Sequence, residues 1–195
     1  MMRFIGLVLL VFITGCSQSD KVTLHAGDSI LAFGDSLTVS VGAKNSTYPQ
    51  QLAQLTGLEV IASGVSGEQT AQGLERFKRA LDTHQVQAVV LLEGGNDFLR
   101  NQDSGQTKAN LGAMITHAQS KGIAVILVAV PTKSLFLSDA PLYQQLSEQY
   151  QVVLVADILS ELLGDNRFKS DAIHLNDQGY RRLALAIADV IEVER

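Results

Sequence analysis

The residues whose types and spacing could do chemistry are Ser36 in Gly34-Asp35-Ser36-Leu37, Gly67 in Ser66-Gly67-Glu68, Asn96 in Gly94-Gly95-Asn96-Asp97, and Asp171 with His174 in Asp171-Ala172-Ile173-His174. A serine hydroxyl is a weak nucleophile until a base takes its proton, and an imidazole, which titrates near neutral pH, suits that task. A carboxylate close by in the same loop can bond the other ring nitrogen, fix the tautomer and stabilise the imidazolium. A glycine lets a backbone N–H approach a reacting carbonyl because no Cβ intervenes, and a side-chain amide is a neutral second donor. Nucleophile, base, orienting carboxylate and oxyanion donors are together the parts of a serine hydrolase.

Such parts work only if the elements around them bring them to one edge. Residues 30–33 form a short apolar run that ends at Gly34. A helix is expected over 47–56, where Thr47 and Gln50 have capping-box spacing, Pro49 sits in the first turn and Gly57 is a stop. Further strands are expected at 58–61, 86–92, 123–130 and 152–156, and further helices over 70–81, 105–121, 141–150 and 177–192. Leu74, Phe77 and Leu81 share one helical face, as do Leu111, Met114, Ile115 and Ala118, and the last helix is expected to bury Tyr180, Leu183, Ala184, Ile187 and Ile191. Strands apolar on both faces, each followed by an amphipathic helix, predict an α/β fold with a parallel sheet covered on both sides. In open sheets of this kind ligands bind beyond the carboxyl ends of the strands, and that is where all four blocks fall.

In order and spacing these blocks resemble those of the GDSL or SGNH hydrolase family, which are led by Ser, Gly, Asn and His. Gly34-Asp35-Ser36-Leu37 spells the first block literally, and the resemblance covers about residues 28–192. Thr38, Tyr48-Pro49, Gly73-Leu74, Phe98-Leu99-Arg100, Lys169-Ser170-Asp171 and Gly179-Tyr180 are similar to the small bacterial arylesterases related to thioesterase I/lysophospholipase. The resemblance implies a three-layer α/β/α sandwich around a five-stranded parallel sheet of order 2-1-3-4-5, flavodoxin-like in topology. It implies a monomer that hydrolyses a small-molecule ester or lipid through an acyl-enzyme, with no cofactor and no metal. Ser36 would attack, His174 would act as base and then acid, and Asp171 would orient it; the Ser36 and Gly67 N–H groups and the Asn96 side chain would hold the oxyanion. A lysophospholipase or thioesterase, or a glycan O-deacetylase, would use the same site, and a non-catalytic lipid-anchored binding lipoprotein is an alternative of another class. Ser40 stands where the family usually has Gly, which implies a stiffer first loop, Ala62 replaces an Asn often found there, and Leu175 follows His174 where many relatives have Pro.

Each of these residues has a plainer use. Ser36 could cap a helix, Gly67 and Asn96 could make turns, and His174 could be a surface histidine. Asp35 and Asp97 are expected to bond loop N–H groups, and His25, His84 and His117 to face solvent. Glu93, charged at the end of an apolar strand, has no role that the sequence explains. Ser66 lacks the glycine pattern of a G-x-S-x-G elbow. Leu135, Phe136 and Leu137 form an apolar run in the loop after the fourth strand and are expected to line a groove for an acyl chain or aryl ring. No G-x-G-x-x-G or Walker loop follows the first strand, which argues against a phosphate binder.

Composition bounds the rest. With 195 residues, 46% hydrophobic and 18% charged, the chain is one globular domain, not a disordered segment. Its 15 Lys+Arg against 20 Asp+Glu leave a net charge of −5 with no basic cluster, so no nucleic-acid partner is expected. The single cysteine, Cys16, rules out an internal disulfide, and no zinc-ligand spacing is present. Arg3 and the apolar residues 4–13, too short for the roughly 20 residues of a membrane-spanning helix, suit a signal peptide. Ile13-Thr14-Gly15-Cys16 resembles a bacterial lipobox, and Ser17 after it resembles an outer-membrane sorting choice. The expected organisation is a lipoprotein signal peptide over 1–15, a lipidated N-terminus and tether over 16–27 and the hydrolase domain over 28–195. The chain would then be exported to the periplasm and anchored to the outer membrane through Cys16.

Overall fold

Ile30, Leu31, Ala32 and Phe33 are completely buried, and so is every residue of Ala88–Leu92. Strands with no wet face need cover on both sides, and this dictates the architecture. The structure, a computed structural model, describes residues 21–132 and 137–194. Its elements in chain order are β1 (Val22–His25), β2 (Ser29–Gly34), α1 (Ser36–Val39), α2 (Tyr48–Thr56), β3 (Glu59–Gly64), α3 (Thr70–Thr83) and β4 (Ala88–Leu92). These are followed by α4 (Gly95–Leu99), α5 (Ser104–Ser120), β5 (Ala124–Val128), α6 (Pro141–Tyr150), β6 (Val153–Val155), α7 (Ile158–Gly164), α8 (Asp177–Asp189) and β7 (Ile191–Glu194).

Strands β3-β2-β4-β5-β6 pair in that order, all parallel, which is the 2-1-3-4-5 order expected for the five core strands. Helix α2 packs on α8, and α3 packs on α5, which packs on α6, completing the α/β/α sandwich. The helices start where their sequences say. In α2 the Thr47 Oγ1 accepts from the Gln50 N–H and the Gln50 Oε1 accepts from the Thr47 N–H, a complete capping box. Because β2 is flanked by β3 and β4, the loops after those two strands stand on either side of the residue that follows β2.

Two expectations are corrected. Residues 22–25, placed in a tether, form β1, which pairs in parallel with β7, and the helix expected to run to 192 stops at Asp189. Val22 and Leu24 are buried while Thr23 and His25 are exposed, so a period-two alternation seals this edge of the fold. Ile191 is buried as expected, but from a strand. Cys16, the expected signal peptide, and Leu135 and Phe136 lie outside the described residues. Among the described residues no helix is long and apolar enough to cross a membrane.

Candidate active site

The loop that carries Ser36, the candidate nucleophile, is built by close backbone approach. A Cβ on Gly34 would overlap the Leu92 carbonyl oxygen, and one on Gly64 would lie 2.6 Å from the Val39 nitrogen, so glycine at both strand ends lets α1 settle onto the sheet edge. Asp35, rather than Ser36, caps that short helix: its Oδ1 accepts from the Leu37 N–H at 3.0 Å. Ser36 is thereby left half-exposed in the first turn. The turn ends at Ser40 in the left-handed region (φ +62°), a costly conformation for a residue with a Cβ. Its Oγ accepts from the Tyr48 N–H at 3.0 Å, which offsets part of that cost.

His174, the candidate base, arrives on the loop before α8. Asp171 Oδ1 accepts from the Ile173 and His174 N–H groups, each at 2.9 Å, and its Oδ2 lies 2.8 Å from His174 Nδ1. His174 Nε2 lies 3.0 Å from Ser36 Oγ. A carboxylate accepts only, so Nδ1 carries the proton and Nε2 is free to accept the serine proton. The bond from the Ile173 N–H, with those from His174, holds the Asp171 carboxyl below the usual carboxylate range. The loop is anchored by fully buried Leu175 and by Asn176, whose amide donates to the Arg167 and Lys169 carbonyls.

The oxyanion candidates lie to either side. Asn96, in α4, donates one amide N–H to Asp35 Oδ2 at 3.0 Å, which orients the amide and leaves its second N–H unused by that bond. Burial pushes the Asp35 carboxyl up to about 6, against the lowering effect of the Leu37 N–H. Gly67 adopts φ +77°, where a side chain would be strained, and its loop is tied to β2 by the Val65 N–H donating to the Gly34 carbonyl at 3.0 Å. An apolar cleft of about 190 Å³ opens beside Ser36 and Asn96, walled by Phe98, Leu99, Val130, Leu137, Leu163 and Ile173. Of the expected substrate residues, Leu137 is therefore at the site.

Several contributors were invisible in the sequence. Arg76 donates through Nε to both Glu68 oxygens at 2.9 Å and through its other nitrogens to Ser63 and the Gly34 carbonyl, with its guanidinium 3.8 Å over the Phe33 ring. It pins the ends of β2 and β3 together. Its partner Glu68 stands in the loop ahead of α3, whereas Arg76 is inside that helix, so no helical spacing marks the pair. Asp97 accepts from the Thr70 N–H and hydroxyl, bracing the start of α3, a structural role as expected. Glu93 is fully buried and neither carboxylate oxygen has a hydrogen-bond partner among the described residues. Burial, reinforced by Asp35 and Glu68, raises its carboxyl well above the ordinary range. His25 is exposed as expected, but His84, just past the end of α3, and His117, within α5, are half-buried.

Comparison with known proteins places the chain in a family. The model of the GDSL-like Lipase/Acylhydrolase family matches residues 32–182. An arylesterase of Vibrio mimicus is 28% identical over 168 residues, covering 84% of each chain. The thioesterase 1/protease 1/lysophospholipase L1 of Escherichia coli strain K12 is 25% identical over 182 residues, covering 89% of this chain and 83% of its own. The crystal structure of AlinE4, an SGNH-hydrolase family esterase, superposes with a TM-score of 0.66 at 29% identity, covering 84% of this chain and 94% of that one.

Proposed function

The chain belongs to the GDSL-like lipase/acylhydrolase family and is a carboxylic ester hydrolase, and from that premise we propose that it is a serine esterase working through an acyl-enzyme on aryl or short-to-medium acyl esters. The observation that carries this reading is the run of contacts from Asp171 Oδ2 to His174 Nδ1 (2.8 Å) and from His174 Nε2 to Ser36 Oγ (3.0 Å).

Ser36 Oγ attacks the ester carbonyl as His174 Nε2 takes its proton. Asp171 stabilises the imidazolium that forms. The negative charge that develops on the carbonyl oxygen is met by the Ser36 and Gly67 N–H groups and the free Asn96 amide N–H. His174 then returns the proton to the departing alcohol, the acyl group stays on Ser36, and water activated by the same imidazole releases it. The modest volume and apolar walls of the cleft support an acyl or aryl group of limited size, with Leu137 on its rim and Leu135 and Phe136 proposed to extend it. Export and lipid anchoring through Cys16 complete the proposal on the strength of residues 13–16. Loss of palmitate labelling in Cys16→Ser tests that part.

The catalytic reading is tested by hydrolysis of p-nitrophenyl esters from acetate to palmitate, with Ser36→Ala in parallel. The expected result is turnover that peaks at short to medium chains and vanishes in the variant. Turnover retained by Ser36→Ala contradicts the serine mechanism, and a maximum at palmitate contradicts the substrate range.

A further inference from the structure

Resting on the reading of Gly67 as an oxyanion donor, we propose that Arg100 is a positioning residue for the oxyanion hole, holding the Gly67 loop to the helix that carries Asn96. Arg100 Nη1 donates to the Gly67 carbonyl at 2.8 Å, and its Nη2 lies 3.5 Å from where a Gly67 Cβ would stand. The guanidinium is exposed, and among the described residues it forms no ion pair, so no carboxylate fixes it elsewhere.

The need for a clamp follows from the loop itself. Glycine has the largest conformational freedom to lose on ordering, and Gly67 must be kept at a positive φ for its N–H to point in one direction. The root of the loop is held by Val65 on Gly34 and by Glu68 on Arg76, but neither touches the Gly67 carbonyl. Arg100 does. It lies one turn beyond Asn96 on the same helical face, its own N–H donating to the Asn96 carbonyl at 3.1 Å. Asn96 is in turn oriented by Asp35. Bonds therefore close a ring around Ser36, from Asp35 to Asn96, through α4 to Arg100, across to Gly67, and back through Val65 to Gly34. The two oxyanion donors outside the nucleophile loop are registered on one short helix, and the planar fork of an arginine suits a directed bond to a carbonyl better than the point charge of a lysine.

The test compares wild type with Arg100→Ala, Arg100→Lys and Ser36→Ala on p-nitrophenyl butyrate, together with the rate of inactivation by diethyl p-nitrophenyl phosphate, whose attack by serine builds the same oxyanion. Displacement of a donor by about 1 Å costs up to about 100-fold. The expected result for Arg100→Ala is a kcat about 10- to 100-fold lower, KM within about twofold, inactivation slowed by the same factor and an unchanged melting temperature, with Arg100→Lys recovering part of the loss. Wild-type kcat and inactivation rate in Arg100→Ala overturn the proposal. So does an effect confined to KM for esters that carry a carboxylate or phosphate, which would make Arg100 a reader of substrate charge. Should Arg100→Ala fail to fold, the same pair of rates in Arg100→Lys decides: both reduced supports the clamp, both at wild-type values overturns it. Activity retained by Ser36→Ala would overturn the serine mechanism instead, whatever the Arg100 variants do.

Discussion

Asp35 and Asp171 are two carboxylates that each orient a working side chain, and they do so from opposite environments. Asp35 is 3% exposed, braced by the sheet, and pushed up to about 6 by burial. The Asp171 side chain is 52% exposed, held within its own loop, and kept below the usual range by the N–H groups it accepts. The arm that carries Ser36, the proposed nucleophile, is therefore organised by the whole fold, through strand ends, glycine contacts and Tyr48, whereas the Asp171 contacts that orient His174, the proposed base, lie within a four-residue turn. Damage to the first should disturb stability along with activity; damage to the second should cost activity alone.

The sharpest way to break that contrast is Asp171→Asn. The amide still accepts from the Ile173 and His174 N–H groups but offers a donor to Nδ1, so the imidazole takes the wrong tautomer. A fall in kcat on the order of 10⁴-fold with an unchanged melting temperature is expected; a large loss of stability would show that the base arm depends on the fold as the nucleophile arm does. Next in size is Asn96→Ala, which removes a proposed oxyanion donor and should lower kcat about 10²–10³-fold while KM stays within about twofold. Steady-state kinetics on a single ester check both.

Asp35→Asn probes the buried carboxylate through pH. The folded value, about 6, lies above the ordinary 3.8, so the folded state binds the proton more tightly; the associated stability is present below pH 3.8 and is lost as pH rises through about 6. Wild type should therefore gain on Asp35→Asn by about 3 kcal/mol as pH falls from 7 to below 4, read from urea unfolding at each pH. A constant difference would place Asp35 in a far wetter setting. The smallest effect is expected of Ser40→Gly, which relieves a left-handed residue but deletes the acceptor of the Tyr48 N–H. The two changes are each about 1 kcal/mol and opposite in sign, so the unfolding midpoint should barely move.

Much of this is legible in the sequence because it is local. Capping-box spacing marked α2, apolar runs marked the core strands, and the Asp171 turn spans only the residues that spell it. Pairing across the chain was not. Strands β1 and β7 are four residues each at opposite ends, too short for their alternation to stand out. Arg76 and Glu93 act through neighbours that only the folded sheet brings near, and Arg100 reaches a carbonyl 33 positions away. Asp35 bonds a loop N–H group, as expected of it; that this bond caps α1 in place of Ser36 was not marked, since both residue types cap helices equally well.

The central claim, that Ser36 is the nucleophile and His174 its base, is tested most directly by mapping the adduct left by diethyl p-nitrophenyl phosphate. Peptide mass spectrometry should find the diethylphosphoryl group on Ser36 and nowhere else, with labelling abolished in His174→Ala. Label on Ser66 or any other serine, or labelling that survives intact in His174→Ala, would contradict it.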